Sequence, residues 1–261
     1  MPISARTTPP ATGDTLNTPP RLPGKVAVAQ KLGSQIPLDL MFRNERGEIV
    51  RLRQLFFKER PVLLNFVYFN CPMLCPMTLE GTANSLTHLK LDIGKDFDVI
   101  TVSIDPRDKT ERAAELKEKY VKHYGRLSAA NGWHFLTANE TTIKKLTDSL
   151  GFQFSYDPPS DQFAHAAVLH VLTEEGVASK YFYGFEHKPL DLRLALIEAS
   201  VRKIGTFTDQ LLLLCFHYDP SIGKYSRNAM NFVRAGSVTA VFALTGFIVV
   251  MVRREKFRKE S

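Results

Sequence analysis

Two predominantly apolar runs, residues 61–69 and 97–104, interrupt an otherwise mixed pattern of hydrophobic and polar positions. Each has the length and branched content of a strand covered on both faces. Between them, Leu79, Leu86 and Leu89 recur at roughly helical spacing and predict a helix over residues 76–91. A second helix is predicted over 111–124, capped by Asp108 or Thr110 and stopped at Gly125. Further on, the pattern predicts a short strand at 133–137, a helix at 141–150 closed by Gly151, and a last helix at 190–203. Two strand pairs complete the reading. One lies within 38–52 around a turn at 45–47, and the other pairs 167–172 with 178–183 around Glu174-Glu-Gly176. Strand–helix alternation that ends in a hairpin and a helix predicts an α/β, thioredoxin-like domain, with a central mixed sheet flanked by helices, over residues 26–205.

The two ends read differently. Residues 1–25 are rich in Pro, Thr, Ala and Gly and predict a disordered tail, with no apolar stretch of the signal-peptide kind. Residues 235–252 form an uncharged run of 18 residues, followed by five basic residues within 253–259. That combination predicts one C-terminal transmembrane helix with a basic cytoplasmic tail at 253–261, after a juxtamembrane segment at 206–234. The domain would then face the periplasm from a bacterial inner membrane, which requires an export signal that the sequence does not display. The net charge of +7 is concentrated at this flank and otherwise scattered, so a nucleic-acid role is not expected.

Three cysteines are too few for a disulfide scaffold. Cys71 and Cys75 flank the turn between the first buried strand and its helix, next to Pro72 and Pro76. The positive end of a helix dipole favours the thiolate there, the form that attacks disulfides and binds soft metals. Two thiolates and an imidazole would suit copper as Cu(I) or Cu(II). No local spacing selects the histidine, since His88, His123, His134, His165, His170 and His187 are all available. Cys215 and His217, one residue apart, could form a further metal pair or simply pack near the membrane.

The motif Val67-Tyr-Phe-Asn-Cys71-Pro-Met-Leu-Cys75-Pro76 resembles that of the Sco/SenC family, proteins that assemble the copper (CuA) centre of cytochrome c oxidase. Similar family features are Val102-Ser-Ile-Asp105-Pro-Arg107-Asp108, Trp133-His-Phe-Leu-Thr137, and Ala164-His165-Ala-Ala-Val-Leu before the hairpin. The resemblance runs from about residue 35 to 203. It implies Cys71, Cys75 and His165 as metal ligands and copper as the metal, with an oxidase subunit carrying the CuA site as client. Other copper donors or thiol reductants would be its remaining partners. The sequence departs from the family at Ala164, where an Asp often precedes the histidine. Asp105 reads equally as a surface ion-pair partner or as part of the metal mouth.

Two functions follow as expectations. The first is a membrane-anchored copper chaperone for the oxidase. The second is a thiol-disulfide oxidoreductase in which Cys71 and Cys75 cycle to reduce the client's copper-site cysteines. A peroxidase-like activity is disfavoured, because no Thr-x-x-Cys site precedes the pair.

Overall fold

The computed structural model describes residues 28–71 and 74–200, together with the short strands His217–Asp219 and Lys224–Ser226. The expected tail at 1–25, the span at 235–252 and the basic end lie outside the described residues, as does Cys215. Among the described residues no helix is long and apolar enough to cross a membrane.

Five strands form the central sheet in the order β5 (Trp133–Leu136), β4 (Asp98–Ser103), β3 (Val62–Val67), β8 (Val168–Leu172), β9 (Ala178–Tyr183). β3 is central and all six of its residues are buried, as are those of β4. The apolar runs in the sequence therefore reflect cover on both faces. β3–β4 and β4–β5 are parallel, while β8 and β9 run antiparallel, giving the expected mixed sheet. A small hairpin of β1 (Met41–Arg43) and β2 (Ile49–Arg51) precedes it.

Around the sheet lie α1 (Leu74–Thr87), α2 (Thr110–Tyr124), the single turn α3 (Ala129–Gly132), α4 (Glu140–Ser149) and α5 (Pro189–Ala199). α1 packs on α2, α2 on β5, and α5 on β8 and β9. Gly81 permits a close approach in α1, where an added Cβ would stand 2.1 Å from the Phe185 carbonyl oxygen. A third hairpin lies outside the two that the sequence predicts. It pairs β6 (Phe154–Asp157) with β7 (Gln162–His165).

Several boundaries differ from expectation for identifiable reasons. α1 starts at Leu74 and so includes Cys75 in its first turn, and it ends at Thr87, leaving His88 beyond it. α2 is capped by neither Asp108 nor Thr110: its N-cap is Lys109, with no side-chain cap. The Asp108 carboxylate is committed elsewhere. His165 and His170 belong to different strands: His165 ends β7 and His170 sits in β8, the two strands being separated by Ala166 and Ala167.

Topology decides where chemistry can gather. In parallel β3 and β4, Val67 aligns with Ser103, so both chains leave the sheet at the same edge. β8 enters at that edge, with Leu169 opposite Asn65. The Cys71 loop, the Asp105–Asp108 loop and the His165 segment therefore converge at the carboxyl ends of the parallel strands, the usual position for function in open α/β sheets.

Candidate metal and thiol site

Cys71 is buried, and its backbone N–H donates to the Tyr68 carbonyl at 3.2 Å. The Tyr68 ring meets His165 edge-on, with centroids 6.1 Å apart, so one residue contacts both predicted donors. Cys75 lies at the second position of α1, where first-turn N–H groups and the helix dipole favour a thiolate. Its side chain lies outside the described residues. Among the described residues, no three His, Cys, Asp or Glu side chains gather as a metal set.

His165 is only 3% exposed and is packed between Tyr68 and Phe152. Burial pushes its pKa down, which keeps the ring neutral. Its Nδ1 lies 3.0 Å from the Ala166 carbonyl oxygen. A carbonyl only accepts, so Nδ1 carries the proton and Nε2 holds the lone pair that a metal needs. This bears directly on Ala164. The orienting acceptor that a preceding Asp would provide is here a backbone carbonyl. Asp161, the nearest acidic candidate in sequence, instead pairs with Arg107 and Tyr156.

Of the other histidines, His123, His134, His170 and His187 occupy helix, strand or core positions. His170 is fully buried against Phe66, Phe152 and Tyr181, and its Nδ1–H donates to the Leu64 carbonyl at 3.1 Å. His187 is buried beside Phe182. His123 meets Asn84, and His134 is half-buried on β5. His217 lies on its own short strand.

Comparison with known proteins decides what this edge belongs to. Residues 32–193 match the SCO1/SenC family, well over half of the chain. The chain belongs to the SCO1/SenC family. Among solved structures, a candidate electron transfer protein of Aquifex aeolicus VF5 is 28% identical, with a TM-score of 0.57, covering 65% of this chain and 94% of its own. A SCO1/SenC family lipoprotein of Bacillus anthracis str. Ames is 21% identical with a TM-score of 0.50, covering 62% and 92%. ScoI of Arabidopsis thaliana, solved with copper bound, is 21% identical with a TM-score of 0.48, covering 61% and 91%. No curated protein matches the sequence.

The structure gives the acidic residues of the SCO1/SenC motifs their partners and adds an aromatic wall around the histidine. Asp105 is buried at the end of β4, and its carboxylate accepts from Arg107 Nε at 2.9 and 3.1 Å and from Nη2 at 2.8 Å. The carboxylate thus forms an ion pair, from a buried position rather than at the surface. Asp108 is buried and turned toward the cysteine loop. It accepts the Phe69 N–H at 2.6 Å, the Ser103 hydroxyl at 2.5 Å and the Asn70 side-chain amide at 2.7 Å. Burial pushes the Asp108 carboxyl up, against the pull of these donors. Phe152 and Tyr68 wall the histidine, Phe163 packs on Tyr68, and a cavity of about 750 Å³ is lined by Phe152 and Phe163. The period-two series Phe152, Phe154, Tyr156 followed by Pro158-Pro159 was a legible sign of this hairpin.

Proposed function

We propose that this chain is a copper carrier for cytochrome c oxidase assembly, holding copper through Cys71, Cys75 and His165. The observation that carries the reading is the state of His165. Its ring is buried and neutral, and its Nδ1–H is committed to a carbonyl, so Nε2 is set up as a donor beside the Cys71 loop. A disulfide reductase working through Cys71 and Cys75 has no need of such an imidazole. The donor set fits copper chemically: thiolates suit Cu(I), and imidazole extends the site to Cu(II). Copper is the cargo, and a three-donor site leaves room for a client thiolate to attack and take it.

The chain is anchored by residues 235–252, with the basic end in the cytoplasm and the domain on the periplasmic side of a bacterial inner membrane. This places the carrier beside a membrane-bound oxidase subunit with a CuA site.

Competition titration of the full chain with a copper chelator tests this. His165→Ala is expected to weaken Cu(II) binding by at least about 100-fold, since losing a supporting partner of a ligand alone costs about 10–100-fold. Thiol-disulfide exchange through Cys71 and Cys75 should stay within about twofold of the parent, because thiolate reactivity rests on the cysteines and the helix terminus. Equal copper affinity with His165→Ala would refute the three-donor site. A collapse of exchange instead would favour a histidine acting in thiol chemistry.

A further inference from the structure

The loop Asp105–Asp108 touches both halves of the site, yet none of its side chains is needed as a ligand. Arg107 bridges the end of β4 to the β6–β7 hairpin. It grips Asp105 with Nε and Nη2, and its Nη1 donates to Asp161 Oδ1 at 2.7 Å. Asp161 also accepts the Tyr156 hydroxyl at 2.7 Å. The guanidinium lies 5.2 Å from the Tyr156 ring centroid and 5.9 Å from that of Phe163. Phe163 in turn packs on Tyr68, and His165 ends the same strand two residues later. One residue along, Asp108 fixes Phe69 and Asn70, the two residues before Cys71.

We infer that Arg107 and Asp108 are positioning residues: through one rigid loop, Arg107 fixes the hairpin that carries His165 and Asp108 fixes the turn that carries Cys71. The inference rests on the copper reading above. Its physical basis is that the two donors come from segments far apart in sequence, which meet at the aromatic contacts of Tyr68 with Phe163 and His165. A copper site is sensitive to small errors in donor position, so its supporting contacts matter nearly as much as the donors. A planar guanidinium with a bidentate carboxylate on one side and aromatic faces on the other is held in one orientation. Lysine cannot reproduce that fork.

The test uses the full chain, first without copper. Arg107→Ala should speed amide hydrogen exchange in residues 154–165 by about tenfold while α2 and β4 keep their protection, as expected for local opening. Asp108→Asn should instead raise the alkylation rate of Cys71, mapped by mass spectrometry, by about threefold, with hairpin exchange unchanged. This crossed pattern separates positioning from general destabilisation, which would move both readouts in both variants. With Cu(II) added, Arg107→Ala and Arg107→Lys should each bind about tenfold more weakly than the parent. Asp161→Asn, at an exposed position, carries the same test if Arg107→Ala does not fold, with faster hairpin exchange and weaker Cu(II) binding. Parent-like Cu(II) affinity in Arg107→Ala or Asp161→Asn would overturn the inference, and so would both readouts moving together. A parent that binds no copper, or a His165→Ala variant that binds as the parent does, would instead refute the underlying copper reading.

Discussion

Acidifying the protein from pH 7 to pH 5 is expected to cost the folded domain about 4 kcal/mol. The cause is the pair of core histidines. Burial pushes His170 and His187 down from 6.5 to about 4, so both remain neutral in the fold where they would charge in the unfolded chain. Between those values the unfolded state binds more protons, and stability falls as the pH drops from about 6.5 towards 4. At pH 5 each group contributes a loss of about 2 kcal/mol, which gives the total. His134, also pushed down to about 4 by burial and by Lys58 and Lys117, adds to the loss from a half-buried site. The Asp108 carboxyl, raised by burial, works in the opposite direction. Urea unfolding at the two pH values measures the effect, and His187→Phe should remove about 2 kcal/mol of it. Equal stability at pH 5 and pH 7 would show that these rings are not held neutral.

A comparable loss is expected from Trp133→Ala, about 3–5 kcal/mol. The indole is fully buried on β5 and its N–H donates to the Thr101 hydroxyl at 3.1 Å. Its ring stacks on Phe135 at 5.8 Å and meets Tyr120 at 6.1 Å, and Phe135 reaches Phe69 in the cysteine loop. Truncation would remove the transfer free energy, leave a cavity, and orphan a buried hydroxyl on β4. Because the same stack supports Phe69, thiol accessibility at Cys71 should rise along with the loss of stability. Chemical denaturation gives the first readout and alkylation kinetics the second. A cost below about 1 kcal/mol would mean that the neighbouring rings collapse into the space.

The sheet was legible because its central strands are buried on both faces, and such strands are written as near-continuous apolar runs. The cysteine pair was legible from spacing and from its place between a buried strand and a helix. Local signals misled where a side chain had two uses. Asp108 has the composition of a cap, but its carboxylate satisfies the cysteine loop, and no capping rule distinguishes the two. His165 could not be singled out by pattern, because the strand that delivers it is four residues long and half-exposed, too short for a periodicity of its own. The partners of Arg107 lie 2 and 54 residues away, so its bridging role exists only once the chain has folded.

The most direct test of the account is pulsed electron paramagnetic resonance on the full chain loaded with Cu(II), parent beside His165→Ala. The account predicts one tightly held copper per chain, with the signature of a single directly bound imidazole nitrogen that disappears in the variant. The same nitrogen signature in both proteins, or a parent that retains no copper, would contradict it.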